Sequence, residues 1–163
     1  MDADRELHAR TVVRARPEVV WALLTDTRAL AVASPELLGM TPLKPGGFRA
    51  GQVYIGWNRR KLVVWPTRNV VRQVVPQQSL IWDTRTSGAR WIYELTPHAE
   101  GTLVTHRRPV PKRLTLLSRI FAGLLLGGGR SHADELETGM RQALEHLKRA
   151  AELHAGPGGA ADH

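Results

Sequence analysis

The sequence predicts an α+β domain: a curved antiparallel sheet of about seven strands wrapped around a long C-terminal helix, with two short helices after the first strand. Three observations carry this expectation. From Gln52 to Arg108, β-rich stretches follow one another with only turn-forming residues between them. A 3.6-residue apolar repeat then runs through the last long segment. Ahead of the sheet, a proline-led apolar run follows an opening strand.

Leu7 to Ala15 reads as the opening strand, with Val12 and Val13 in a polar setting. Pro17 sits where a first helical turn tolerates it, so Glu18 to Leu24 forms a short, largely buried helix. Asp26 caps a second short helix through Val32, ended by Ser34-Pro35. Turns are expected at Gly46-Gly47, Asn58-Arg59-Arg60, Pro76 to Ser79, Ser87-Gly88 and Ala99-Glu100-Gly101. The strands between them are Gln52 to Trp57, Leu62 to Val75, Leu80 to Thr86, Ala89 to Thr96 and Thr102 to Arg108. The second is long enough for two, with Pro66 as the break. Such a meander argues against a parallel dinucleotide-binding fold.

The terminal helix opens with Ser131 as N-cap and Asp134 and Glu135 in its first turn. Leu136, Met140, Ala143, Leu144, Leu147 and Ala151 form its apolar stripe, which fades at His154. Gly156-Pro157-Gly158-Gly159 ends it. The expectation is one domain over residues 1–155 and a flexible tail over 156–163. A helix laid across a curved sheet leaves a gap, and that gap is the natural binding site.

Composition narrows the function classes. The chain has 163 residues and no cysteine, which excludes disulfides, thiolate metal sites and cysteine nucleophiles. The N-terminus carries acids rather than an apolar leader, and the apolar stretch Leu114 to Leu126 is too short to span a bilayer, so a cytoplasmic location is expected. The net charge of +8 raises nucleic-acid binding. Its arginines are scattered, however, and no zinc-finger or RNA-recognition signature accompanies them, so no nucleic-acid partner is expected.

Several segments are also familiar in order and spacing. They are Arg16-Pro17-Glu18-Val19-Val20-Trp21, then Gly51-Gln52-Val53-Tyr54-Ile55-Gly56-Trp57-Asn58 followed by Trp65, and Val71 with Pro76. After them come Trp91-Ile92-Tyr93-Glu94-Leu95 with Gly101-Thr102, and Gly139-Met140 leading to Leu144, Leu147-Lys148 and Ala151-Glu152. From Leu7 to Glu152 the chain resembles the SRPBCC superfamily of START-like, helix-grip domains, in particular its polyketide cyclase/dehydrase and lipid-transport branch. The resemblance implies a cavity for a small hydrophobic molecule. It implies no one reaction, because the superfamily holds binders, transfer proteins, chaperone activators and cyclases.

Strand parity puts Trp91, Tyr93 and Leu95 on one side, and Leu80, Trp82 and Thr84 on one side. The family pattern groups Tyr54, Gly56 and Asn58, and also Trp65, Thr67 and Val71. The resulting ligand pocket comprises Tyr54, Asn58, Trp65, Thr67, Trp82, Trp91 and Tyr93, with Met140 and Leu144 from the helix. The competing reading makes these rings plain core. Trp21, on the first helix, reads as structural. Asn58, Thr67, Asn69 and Thr84 supply polar groups in phase with the pocket.

On the last strand Leu103 competes with Val104, and the resemblance favours Thr102, Val104, His106 and Arg108 as inward. His106, Arg108 and Asn58 are thus the candidate catalytic residues, with His106 the acid or base. A lone strand histidine is more often a hydrogen-bonded core residue. The remaining histidines make no ligand pattern, so neither metal nor cofactor is expected. Gly127 to Ser131 lacks the Gly-Lys-Ser/Thr ending of a phosphate loop and reads as a flexible link.

Lys112 to Leu126 combines a basic start with an apolar body. It could be a lid with transient membrane or carrier-protein contact, or a helix packed on the sheet or in a homodimer. The leading functional reading is a binder or carrier of a polyketide, lipid or similar metabolite. A polyketide cyclase/aromatase acting in the same cavity is the alternative, and a regulatory interaction module the second.

Overall fold

The computed structural model describes residues 6–109 and 129–156. Strand β1 (Leu7–Val13) buries Leu7, Ala9 and Val13 and exposes His8 and Arg10, a two-residue period that defines an inner and an outer face. It pairs antiparallel with β7 (Gly101–Arg108), Leu7 opposite Arg108 and Val13 opposite Thr102. The other strands are β2 (Leu37–Pro42), β3 (Val53–Arg60), β4 (Val63–Val75), β5 (Ser79–Thr84) and β6 (Ala89–His98). All pairings are antiparallel, and the spatial order is β1-β7-β6-β5-β4-β3-β2.

Two short helices follow β1. In α1 (Pro17–Leu24) proline occupies the first turn, and Val20 and Leu24 are buried. Trp21 is half-buried against the same core, as its structural reading requires. Helix α2 (Thr27–Ala33) is capped by Asp26, whose carboxylate accepts from the Arg28 amide at 2.8 Å and the Ala29 amide at 3.4 Å.

The sheet departs from expectation at three places. Asn58-Arg59-Arg60 is not a turn but the end of β3; the chain reverses at Lys61 and Leu62, with Lys61 in the left-handed region at φ 54°. Pro66 does not break β4, which runs unbroken for 13 residues. Around Pro66 only β3 lies alongside, since β5 begins to pair with β4 at Asn69, so the ring displaces no second ladder. Strand β2 was not anticipated. It is a short edge strand containing Gly39 and Pro42, with Leu38 exposed, and so has no clear alternation.

A register shift between Val71 and Gln73 interrupts the β4–β5 ladder, an irregularity that bends a strand and adds twist. At the other end Gly101 has φ +143°, and a Cβ there would collide with the Val13 carbonyl. Thr102 Oγ1 then donates to the Ala15 carbonyl at 2.8 Å, tying β7 to the exit of β1.

Helix α3 (Gly129–Ala155) begins two residues before Ser131, which therefore lies inside the helix rather than capping it. Gly129, Arg130 and Ser131 are likewise helix, not flexible link. Met140, Leu144, Leu147 and Ala151 are buried in one core with Tyr54, Leu80, Tyr93, Leu95 and Val104 of the sheet. Near its start, Glu135 pairs with Arg60 of β3, and Gly139 lies close to Pro35. Near its end, Lys148 Nζ donates to the Val12 carbonyl at 2.9 Å, and the Arg14 amide donates to Glu152 at 3.0 Å. The helix thus crosses the inner face from the β3 side to the β1 edge. His154, where the stripe fades, is exposed. The segment Lys112 to Leu126 and the tail beyond 156 lie outside the described residues. No described helix is long and apolar enough to cross a membrane.

Candidate functional site

The sheet register determines which side chains share the inner face. Across β3 and β4, Tyr54 is opposite Asn69, Gly56 opposite Thr67, and Asn58 opposite Trp65. Asn69 is in turn opposite Thr84, and Val71 opposite Trp82. Then come Trp82 opposite Trp91, Leu80 opposite Tyr93, Tyr93 opposite His106 and Leu95 opposite Val104. Every sheet residue expected at the pocket therefore lies on one face. Val104 is fully buried, so Leu103 is the outward residue and His106 points inward. Trp57 points outward and is exposed. Met140 and Leu144 sit in the core that joins helix to sheet.

The rings stack across strands. Tyr93 lies against Trp82, with centroids 5.6 Å apart and planes at 27°. His106 covers its other side at 3.8 Å and 14°, and Trp91 is tilted against His106 at 5.7 Å. The Arg108 guanidinium carbon lies 5.3 Å from the Trp91 ring centroid, a cation–π arrangement. Tyr93 and His106 are buried, whereas Trp65, Trp82 and Trp91 are half-buried on the same face.

A chain of hydrogen bonds runs beside these rings. Trp91 Nε1 donates to Thr84 Oγ1 at 3.1 Å, and Thr84 Oγ1 donates to Asn69 Oδ1 at 2.7 Å. Asn69 Nδ2 donates to Thr67 Oγ1 at 3.2 Å, and Asn58 Nδ2 reaches the same oxygen at 3.0 Å. Thr67 Oγ1 donates onward to the Gly56 carbonyl at 3.3 Å. Gly56 has no side chain because Thr67 and Asn69 fill that space: a Cβ would lie 2.8 Å from Thr67 Oγ1 and 2.9 Å from Asn69 Nδ2. Parity placed Asn58, Thr67, Asn69 and Thr84 together, but neither the chain nor the role of Gly56 was visible without the register.

His106 and Arg108 are different. Neither ring nitrogen of His106, nor Arg108 Nε, has a hydrogen-bond partner among the described residues. Burial pushes the His106 pKa down to about 3, so the ring is neutral near pH 7. Burial also pushes the Tyr93 phenol up and the Arg108 guanidinium down. Near neutral pH the imidazole can donate one hydrogen bond and accept another, while Arg108 can only donate. Among the described residues no three His, Asp or Glu side chains are grouped as a metal site would need.

The family model described as polyketide cyclase/dehydrase and lipid transport matches residues 5–152. The chain belongs to this family. A protein of Nitrosomonas europaea has a similar solved structure, with TM-score 0.69 and 15% identity over 94% of this chain and 98% of that one. An AHSA1-like protein of Aeromonas hydrophila has TM-score 0.65 and 14% identity over 97% and 99%. The di-domain ARO/CYC StfQ of the steffimycin biosynthetic pathway has TM-score 0.71 and 14% identity; the match covers 93% of this chain but 51% of StfQ. At such identities these likenesses show the fold alone. No curated protein sequence matches the chain. In this member the ring stack lies on the sheet face that shares its core with α3, with His106 and Arg108 on β7 at one end of it.

Proposed function

We propose that this family member binds a small, apolar, ring-containing molecule between the inner face of the sheet and α3. The observation that carries the reading is the stack Trp82–Tyr93–His106, flanked by Trp91, on the face that the helix crosses. Flat rings stacked across strands offer large, rigid apolar surface, and half-buried indoles on an inward face keep part of that surface available to a ligand. A few fixed polar groups beside apolar walls set orientation, and the chain from Trp91 to Gly56 supplies a polar stripe of that kind.

Titration with N-phenyl-1-naphthylamine, a neutral ring probe, tests the reading. Saturable quenching of tryptophan fluorescence, weakened by Trp91→Ala and unchanged by exposed Trp57→Ala, is expected. Absence of saturable binding removes the reading.

One observation favours polyketide cyclase/aromatase as a second reading: His106 and Arg108 are neighbours on the inner face, with nitrogens free of protein partners among the described residues. In that role His106 would move a proton and Arg108 would hold a developing enolate. The low proton affinity of His106 makes it a weak base near neutral pH, which ranks binding ahead of catalysis. Loss of poly-keto turnover in His106→Ala, with product binding kept, would reverse that ranking.

A further inference from the structure

Arg107 and Arg108 are adjacent in β7 and have opposite surroundings. Arg107 points to the outer face, where its Nε donates to Glu6 at 2.7 Å and its Nη1 to Glu94 at 3.3 Å. Glu94 on β6 and Glu6, the residue before β1, come from the two sides of β7, and both serve Arg107. Arg108, one residue on, faces inward among Trp91, His106 and Leu7. No carboxylate pairs with it among the described residues, and its Nε is buried without a partner. Among the described residues the Trp91 face is its one electrostatic partner.

A guanidinium half-removed from water and left without a counter-charge is unfavourable. Its planar fork of donors matches the two oxygens of a carboxylate or an enolised dicarbonyl. Two residues earlier on the same face, His106 offers a neutral imidazole with both nitrogens unpaired among the described residues, and His106 and Arg108 both lie against Trp91. One small region thus combines a flat ring, a cation with no carboxylate partner among the described residues and a neutral hydrogen-bond donor, with Glu6 and Glu94 turned to Arg107.

We infer that the ring-binding face selects acidic ligands: planar molecules whose carboxylate or ionised enol lies against Arg108 and His106 while their rings lie on Trp91. The inference rests on the ring-binding reading and adds a substrate class to it. Arg108 sets that class, and Arg107 stands outside the site.

The test compares 2-naphthoate with 2-naphthamide, two probes of nearly equal size and shape that differ in charge. Tryptophan quenching is followed at pH 7.5 in about 0.15 M salt, which screens attraction to the general positive surface. Naphthoate is expected to bind about tenfold or more tighter than the amide, the scale of a charge-assisted contact. That preference should vanish in Arg108→Gln and persist in Arg85→Gln, an exposed arginine at the end of β5. Equal affinity of the two probes for the wild-type protein overturns the acidic selection and leaves ring binding standing. A preference that survives Arg108→Gln also overturns it, since the anion then binds elsewhere. If neither probe binds, the ring-binding reading falls too.

Discussion

His106 lies face to face with Tyr93, the ring centroids 3.8 Å apart and the planes 14° from parallel. The contact comes from the register that sets the two residues opposite each other on β7 and β6. Burial keeps the imidazole neutral: its pKa is pushed down to about 3 from an ordinary 6.5 because the charged form loses its water.

This makes acid stability a test of the stack. The folded pKa lies below the unfolded one, so below about pH 6.5 the unfolded chain binds a proton that the folded chain excludes. The favourable contribution is fully present above that pH and is lost as pH falls toward 3, with a slope of up to about 1.4 kcal/mol per pH unit. Glu36, whose pKa burial raises, works in the opposite sense, so the comparison must be with a variant that changes His106 alone. His106→Phe keeps a ring on Tyr93 and cannot protonate. Its melting temperature should fall much less between about pH 6.5 and 4.5 than that of the wild type. Parallel acid profiles would show that His106 is not held neutral by burial.

The hydrogen-bond chain gives a second prediction. Thr84 Oγ1 accepts from Trp91 and donates to Asn69. Thr84→Val keeps the shape but leaves the Trp91 N–H and the Asn69 carbonyl unmet, a loss of about 1–3 kcal/mol. Thr84→Ser keeps the hydroxyl and should lose less. Urea midpoints at constant m-value check this, and a valine variant as stable as the serine one would contradict it.

Lys148 supplies a third. Its ammonium donates to the Val12 carbonyl and to Glu152, whose carboxylate takes the Arg14 amide, so one i,i+4 pair fastens α3 to the end of β1. Lys148→Met should lower unfolding free energy by roughly 1 kcal/mol and speed hydrogen exchange at the Arg14 amide. An unchanged Arg14 amide would show that the pair does not fasten the helix there.

Much of this arrangement was legible because its signals are local. Trp91-Ile92-Tyr93-Glu94-Leu95 alternates large rings with outward residues, and the stripe from Met140 to Ala151 has a helical period, so each announces a buried face. Leu103 and Val104 are equally apolar, and no local pattern can choose between them. Pairing with β6 decides it, placing Val104 opposite Leu95 and His106 opposite Tyr93. The turn expected at Asn58 to Arg60 failed for a related reason. Those polar residues look like loop in isolation, but Asn58 bonds Thr67 across the hairpin and Arg60 meets Glu135 on α3. Edge strand β2, with Gly39 and Pro42 in six residues, has no period to read.

Gly56 gives the last prediction, because two opposing effects meet there. Alanine in place of a strand glycine restricts the unfolded chain and on that ground stabilises by about 0.5–1 kcal/mol. Here the new methyl would sit 2.8 Å from Thr67 Oγ1 and 2.9 Å from Asn69 Nδ2. Neither atom is free to retreat. Thr67 Oγ1 holds Asn58 and Asn69 and donates to the Gly56 carbonyl, while Asn69 is fixed at its other end by Thr84. Overpacking of this kind costs about 1–3 kcal/mol, so the larger effect wins and Gly56→Ala should destabilise. A double-mutant cycle separates the two effects. In a Thr67→Ala background the nearest obstruction is gone, and Gly56→Ala should cost measurably less than in the wild type. Equal costs in both backgrounds would mean that the polar chain is not what excludes a side chain at Gly56.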